Sequence, residues 1–450
     1  MFPKTENMKV VIMAGGKGTR ISDIAKNIPK PMIEIEGMPI LEREIECLRS
    51  QGFKDVIITV SYLSDYIVNY FGDGSGISPA TGHPFGVHIE YYLENEPLGN
   101  AGALFKIRDK LTTDFLLLNA DAMFDVDFKR FVEFHKQHEG LVTLFTHPNS
   151  HPYDSGLIIP GPNNVVEKWL TKEDIRPKYY KNCVNAGLHV ISPSVLDIAN
   201  IDPELIGKVG ENGKTFKIDL DRQLLKPLAG TGKMFCYSSP EYVKDMGTPE
   251  RYFSVSADVK NGLVAKKNLS QKQKAIFLDR DGTLNKYVGF LKNINDFELI
   301  DGVASALRKI NASGYLAIVV TNQPVIARGE VSYNELNEIH NKMETLLGKE
   351  GAYLDAIYYC PHHPHKGFKG ERSELKINCN CRKPKPGMLF NASNDFNIDL
   401  ENSWMVGDSE IDIQAGINAG CKTALIANEK KYCGQSVTVS SLLEFTEQYL

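Results

Sequence analysis

The sequence predicts an α/β protein built of two Rossmann-like domains with largely parallel sheets. Three observations predict it. Apolar, strand-like runs alternate with amphipathic stretches along all 450 residues, the pattern that parallel sheets produce. The alternation breaks at residues 266–274, a polar and basic stretch nearly free of apolar side chains. It then restarts, and each half carries a Gly- or Asp-bearing loop directly after its first strand. The domains are therefore placed at 1–260 and 275–450, with an exposed linker at 261–274. Ligands of open α/β sheets sit at the carboxyl ends of strands, so two such loops imply two sites.

In the first half the spacing predicts strands at 10–13, 56–60, 115–118 and 141–145. Helices are expected at 39–50, with Pro39 in the first turn, and at 127–138. In the second half strands are expected at 275–278, 316–320, 357–359, 404–406 and 423–426.

Composition narrows the function. With 42% hydrophobic and 24% charged residues the chain is an ordinary globular protein. A net charge of −5 gives no general attraction to nucleic acid or an anionic membrane. No apolar run approaches the roughly 18 residues that span a bilayer. The start, MFPKTENMKV, lacks a secretory apolar region, and five of the eight cysteines are scattered, which together point to a reducing cytoplasm. The oligomeric state has no signature in the sequence.

The first loop reads Ala14-Gly15-Gly16-Lys17-Gly18-Thr19-Arg20. Glycines let a backbone approach phosphate and leave N–H donors unblocked, while Lys17 and Arg20 add charge. It is not the dinucleotide pattern, because Ile21 holds the last glycine position, and it is not a Walker loop. The glycines alone would also suit a plain strand-to-helix turn. More motifs follow in order: Pro29-Lys30-Pro31, Glu96-Pro97-Leu98-Gly99-Asn100-Ala101, Asn119-Ala120-Asp121, Glu167-Lys168, Asn185-Ala186-Gly187 and Asp245-Met246-Gly247. Over roughly residues 8–260 the chain resembles the sugar-phosphate nucleotidyltransferases, of glycosyltransferase-A-like fold. The resemblance implies that Gly15, Gly16, Gly18, Thr19, Arg20, Glu96, Gly99 and Ala101 bind nucleotide. It implies a sugar-phosphate site at Lys30, Glu167, Lys168, Asn185 and Gly187, and Mg²⁺ held by Asp121 and Asp245. Arg20 and Lys30 would be catalytic, neutralising the triphosphate as a sugar 1-phosphate attacks the α-phosphorus. Trp169 stands where proline is usual, and Asn100 where threonine is common.

The second loop reads Asp279-Arg280-Asp281-Gly282-Thr283. Two aspartates one residue apart at a strand end can share work: one attacks phosphorus, the other moves protons. The EF-hand pattern is not met. Thr321-Asn322, Arg382-Lys383-Pro384 and Gly407-Asp408 follow in order, and the half resembles the haloacid dehalogenase superfamily. That implies a phosphoaspartate on Asp279, Asp281 as acid and base, and Mg²⁺ at Asp279, Asp281 and Asp408. It also implies phosphate contacts from Thr321, Asn322 and Lys383, with Asp412 a further acid close by.

Between these motifs lie Cys360-Pro361-His362-His363 and Cys379-Asn380-Cys381, thiolates and an imidazole suited to tetrahedral Zn²⁺. The arrangement resembles the zinc loop of histidinol-phosphate and heptose-bisphosphate phosphatases, with Cys360, His362, Cys379 and Cys381 as ligands. His363 and His365 are read as neighbours rather than ligands. The 287–303 segment and Ile326-Ala327-Arg328-Gly329 resemble the heptose 1,7-bisphosphate 7-phosphatases, with Arg328 and Arg382 as further sugar-phosphate contacts. Joined, the resemblances imply small-molecule substrates: heptose 1,7-bisphosphate in its α form, heptose 1-phosphate and GTP. A hexose nucleotidyltransferase fused to a histidinol-phosphate-type phosphatase, or a half that only binds, are the alternatives.

Overall fold

The computed structural model describes residues 8–16, 24, 27–210, 213–429 and 432–450. They form two compact units, and one cut in the chain does not separate them. The first holds the described residues of Met1–Thr146, Ile158–Trp169 and Asn185–Asn268. The second holds those of His147–Leu157, Leu170–Val184 and Leu269–Leu450. The stretch expected as an exposed linker is instead tied down, with Lys267, Asn268, Leu269 and Gln273 buried. Asn268 Nδ2 donates to Asp125 Oδ1 at 2.6 Å, and the Gln273 N–H donates to the Asn397 carbonyl at 3.0 Å. Polarity misled here, because these groups spend their hydrogen bonds on protein rather than on water.

In the first unit Val10–Met13 is central, parallel to Asp55–Val60 on one side and Phe115–Asn119 on the other. His88–Leu93 lies parallel beyond Asp55–Val60. Val10, Val11 and Ile12 are fully buried, as a strand covered on both faces requires. Past Phe115–Asn119 the sheet turns antiparallel at Val184–Ile191, then continues through Leu157–Pro160 to Val166–Leu170. Tyr242–Asp245 pairs antiparallel with Ala122–Asp125 and sets Asp245 opposite Ala122. The expected helices form at Ile40–Ser50 and Phe128–His138. Asp127 caps the second, accepting from the Lys129 and Arg130 N–H groups. Pro39 lies just before the first helix, in the short strand Met38–Pro39, and not in the first turn.

The second unit has six parallel strands in the order Ala356–Cys360, Tyr315–Asn322, Lys274–Leu278, Trp404–Gly407, Lys422–Ile426, Val437–Val439. The order reverses between Lys274–Leu278 and Trp404–Gly407, which opens a crevice at their carboxyl ends. The first unit does the same between Val10–Met13 and Phe115–Asn119. The helix Tyr333–Lys349 starts on a capping box of Ser332 and Glu335. Within this unit the two segments from the first half of the chain pack on it. Thr345 Oγ1 accepts from the Tyr180 N–H at 2.8 Å and donates to the Tyr180 carbonyl at 3.1 Å. Any Cβ at Gly348 would lie 2.7 Å from Pro152 Cγ.

Candidate active sites

The crevice of the first unit is a cleft of about 730 Å³. Of the residues expected there, Gly15, Gly16, Lys30, Glu96, Gly99 and Asp121 line it. Gly18, Thr19 and Arg20 lie outside the described residues. Lys30 is nearly buried in the short turn Lys30–Met32, and its Nζ donates to Asp121 Oδ2 at 2.7 Å. Asp121 follows Phe115–Asn119, and its carbonyl accepts from the Met246 N–H at 3.2 Å. That bond brings the chain around Asp245 against Asp121. Asp245 accepts from Arg251 Nη1 at 2.5 Å and from the Gly247 N–H at 2.9 Å. Burial works against ionisation of Asp245, but these donors prevail and hold it below the usual carboxylate range.

The 96–101 loop is locked rather than loose. Gly99 has φ +85°, and a Cβ there would meet the Ile218 carbonyl oxygen at 2.3 Å. Asn100 Oδ1 accepts from the Leu220 N–H at 2.8 Å, and the Ala101 N–H donates to the Ile218 carbonyl at 3.2 Å. Ala101 is thus a buried anchor of the loop and not part of the cleft wall. Gly187, with φ +79°, packs on Asn119, which does line the cleft. Asn185 Oδ1 accepts from the Gly187 N–H at 3.3 Å and lies 3.2 Å from His189 Nε2. Glu167 and Lys168 sit on Val166–Leu170, three strands from Phe115–Asn119, which is about 14 Å at the usual strand spacing. Neither lines the cleft. Among the lining residues that the sequence analysis passes over, Glu94 and Lys217 carry charge. Burial pushes Glu94 up to about 7, against the pull of the Leu98 N–H.

In the second unit's crevice the charges are already paired. Asp279 ends Lys274–Leu278, and its N–H donates to the Val406 carbonyl at 3.0 Å across the switch point. Buried Lys383 donates to Asp279 Oδ1 at 2.7 Å and to Asp412 Oδ1 at 2.6 Å. Burial first, then Asp412, pushes Asp279 up to about 7, with Lys383 opposing. Burial and Asp412 likewise raise Asp408 to about 6. Despite burial, the two carboxylates hold Lys383 above its ordinary value. Gly282 has φ +89°, and a Cβ there would stand 2.0 Å from Asp408 Oδ2, so only glycine fits.

Carboxylate oxygens of Asp279, Asp408 and Asp412 fall within 4.8 Å of one another, a set of hard donors suited to Mg²⁺. Asp281 stands apart from that set. Its oxygens accept from Arg280 Nη2 at 2.8 and 3.0 Å, Gln323 Nε2 at 2.9 Å and Asn285 Nδ2 at 3.1 Å. Among the described residues the three-carboxylate set thus includes Asp412 and not the Asp281 side chain, and the capping box of Glu410–Ala419 with Ser409 orients Asp412. Asn322 departs from expectation as well. Its amide pairs with the Lys383 backbone, donating to the carbonyl at 3.1 Å and accepting from the N–H at 3.0 Å. Its side chain thus positions Lys383. Thr321 is buried and accepts from Gln323 at 2.9 Å.

Cys360, His362, Cys379 and Cys381, the four that the resemblance implied, converge. Sulfur–sulfur distances are 3.3–3.5 Å, far beyond a disulfide, and His362 Nδ1 is 3.3 Å from Cys381 Sγ. The edge of a zinc tetrahedron with thiolate ligands is about 3.8 Å, so the donor set fits Zn²⁺ closely. His363 turns elsewhere, with Nε2 3.3 Å from Arg328 Nη2. The Arg328 guanidinium lies over Phe290 at 4.0 Å and Phe368 at 4.6 Å. Arg382 Nη1 donates to the His362 carbonyl at 3.3 Å, so the metal loop and the Arg382-Lys383 segment brace each other.

Such arrangements define two phosphoryl-transfer centres, one an open nucleotide-sized cleft, the other a buried aspartate–lysine array. The nucleotidyl transferase family matches residues 9–262, and the HAD-hydrolase-like family matches 380–435. The D-glycero-beta-D-manno-heptose-1,7-bisphosphate 7-phosphatase of Pasteurella multocida (strain Pm70) is 46% identical over 159 residues, 35% of this chain and 84% of that protein. Its namesake from Escherichia coli (strain K12) is 43% identical over 157 residues, 35% of this chain and 80% of that protein. Among solved structures, HddC from Yersinia pseudotuberculosis is 24% identical, covers 56% of this chain and 99% of its own, and has a TM-score of 0.45. The chain belongs to the nucleotidyl transferase family, and its second half to the family of those phosphatases. It is an enzyme of two kinds, a nucleotidyltransferase and a phosphomonoesterase. No helix among the described residues is long and apolar enough to cross a membrane.

Proposed function

We propose that the chain performs two consecutive steps toward a GDP-activated heptose. The second unit removes the 7-phosphate of D-glycero-α-D-manno-heptose 1,7-bisphosphate. The first then transfers GMP from GTP to the heptose 1-phosphate and releases pyrophosphate. One observation carries this reading: the Lys383–Asp279 array and the Lys30–Asp121 cleft share one chain. A 7-phosphatase leaves the 1-phosphate in place, and a sugar 1-phosphate is the nucleophile that a nucleotidyltransferase needs.

In the phosphatase site Asp279 attacks phosphorus and carries the phosphoryl group, while Asp281 protonates the leaving C7 oxygen and later takes a proton from water. Lys383 holds the nucleophile in place and offsets its charge, and Asn322 holds Lys383. Mg²⁺, bound at Asp279, Asp408 and Asp412, would supply further charge neutralisation. Zn²⁺ at the four-residue cluster would be structural. In the transferase site Asp121 and Asp245 would hold Mg²⁺, and Lys30 sits where a phosphate can displace its bond to Asp121.

The relatives named above are β-anomer enzymes by name. The α anomer is proposed because the transferase half resembles enzymes of the GDP branch. The test is a product assay with each anomer of the bisphosphate, Mg²⁺ and each of the four nucleoside triphosphates. C7 phosphate should leave first, and only GTP should then yield a nucleotide sugar. Release of C1 phosphate, or equal rates on both anomers, would overturn the pathway.

A further inference from the structure

We propose that Glu44 is a positioning residue for Lys30: it is the acceptor behind the cleft wall that keeps the ammonium in place once a substrate phosphate breaks the bond between Lys30 and Asp121. This rests on the nucleotidyl-transfer reading and adds one residue to its site.

The helix that carries it comes first. Glu44 lies on Ile40–Ser50, four residues after Ile40 and four before Leu48, so it shares their buried face. It is 1% exposed. The helix packs against the turn Lys30–Met32 and against Ala122–Asp125, the strand just after Asp121. The Ile40 N–H donates to the Ile33 carbonyl at 3.1 Å and fixes the helix to the chain beyond Lys30.

A carboxyl in such a place calls for a reason. Glu42, two residues earlier, is buried as well, but the Tyr70 hydroxyl donates to its Oε2 at 2.6 Å. Neither oxygen of Glu44 has a hydrogen-bond partner among the described residues. A buried polar group left unmatched is costly and rare. The charges that act on Glu44 are those of the site itself. Burial first, then Asp121, push its carboxyl far above the ordinary range, and Lys30 pulls the other way. A neutral carboxyl still accepts through its carbonyl oxygen, so no proton has to move for Glu44 to hold an ammonium.

The need arises at Lys30. Its ammonium has three N–H donors, and the protein acceptor it uses is Asp121 Oδ2 at 2.7 Å. A phosphate in the cleft competes for that ammonium and draws it from Asp121. A lysine is a point charge on a flexible stem, so one bond to a moving substrate does not fix its position. An idle acceptor behind the cleft wall restores the second bond, and phosphate and protein then hold Lys30 from two sides. Lys383 in the second unit is held in this manner, with Asp279 as the reacting partner and Asp412 as the steady one.

The experiment measures GMP transfer from GTP to heptose 1-phosphate on the full chain, with thermal melts of the same preparations. Glu44→Met is unbranched and removes both oxygens. It should lower kcat for transfer about ten- to a hundredfold, the range for a hydrogen bond to a charged group. It should melt no lower than wild type, because an unmatched buried polar group has gone. Glu44→Gln keeps the carbonyl oxygen and should stay within about threefold of wild-type kcat. In a Lys30→Met background, Glu44→Met should cost nothing further, which a general packing role would not produce. Phosphatase activity on the same chain should be unchanged throughout. Full transfer by Glu44→Met, a lower melting temperature in it, an equal loss in Glu44→Gln, or the same loss without Lys30 each overturns the assignment while the transferase reading stands. A wild-type chain that makes no nucleotide sugar from heptose 1-phosphate overturns that reading and the role of Glu44 with it.

Discussion

The two units open their crevices at the same kind of strand-order reversal and then treat charge differently. In the second, Lys383 is 3% exposed and already bridges two carboxylates, while Gly282 and Gly407 pack directly on Asp408 and Asp412. In the first, the Asp121 side chain is 46% exposed in a cleft of about 730 Å³, and Asp245, two residues before the lining residue Gly247, is equally exposed. Hydrolysis through a covalent intermediate rewards a nucleophile held ready with its counter-charge. Transfer between two bulky substrates rewards an open cleft, because the substrates themselves bring the phosphates and fill the space. The same kind of crevice thus serves a site whose charges are paired in advance and a site completed by what it binds.

The largest effect should come from the phosphatase site. Asp279→Asn should lower phosphatase turnover on the order of 10⁴-fold or more, since it removes the attacking group, and leave nucleotidyl transfer intact. A folded variant that loses both activities would break the comparison. Next, Asp121→Ala or Asp245→Ala should cut transfer about 10²- to 10³-fold with the phosphatase spared, as measured by separate assays on one preparation. Zinc removal should reach the phosphatase site alone. Metal analysis should find one zinc per chain, and stripping it should cost about 10- to 100-fold in phosphatase rate through the Arg382-Lys383 segment, without rescue by Mg²⁺. Protein purified without chelator yet free of zinc would refute this.

The smallest effect concerns pH. Glu344, on Tyr333–Lys349, is 6% exposed, and burial raises it to about 7 in spite of Lys181. A carboxyl raised on folding favours the native state below its unfolded value of about 4.5 and loses that contribution as pH rises through about 7. Glu344→Gln should therefore stabilise the second unit by about 1–2 kcal/mol at pH 8 and leave stability at pH 4 nearly unchanged. Thermal melts followed by phosphatase inactivation would show it. An equal gain at both pH values would assign the change to packing instead.

What the chain announced in advance is unevenly spread. Strand ends bearing Asp121, Asp279 and Asp408 were legible because apolar runs stop abruptly at acids, and a buried parallel strand has few other ways to end. The cysteine cluster was legible because thiol spacing is itself the signal. Asp412 could be suspected only as a neighbour, since its role depends on a cap that turns it toward Lys383. Asn322 and Asp281 were assigned outward tasks, but their partners, the Lys383 backbone, Gln323 and Asn285, are visible only in three dimensions. Glu167 and Lys168 lay in family order and still sit three strands away, because order along a chain does not fix which edge of a sheet a strand joins. The antiparallel strands escaped notice for a simpler reason. Leu157–Pro160 and Val166–Leu170 are short, with Gly161 and Pro162 between them, whereas Val184–Ile191 is long enough to be read but carries no signal of its direction.

The two stretches His147–Leu157 and Leu170–Val184, which fold with the second unit, bear on how such a chain could be divided. A gene split at Leu269 would release the second half without two of its packing partners. The shorter product would lack Tyr180 against Thr345 and Pro152 against Gly348, leaving one flank of Tyr333–Lys349 facing water. The longer product would carry two orphaned loops. Separation would demand compensating changes on both pieces at once, a barrier to inheritance of either half alone. Two short stretches, His147–Leu157 and Leu170–Val184, thereby make the fusion an evolutionary ratchet: easy to keep, hard to undo.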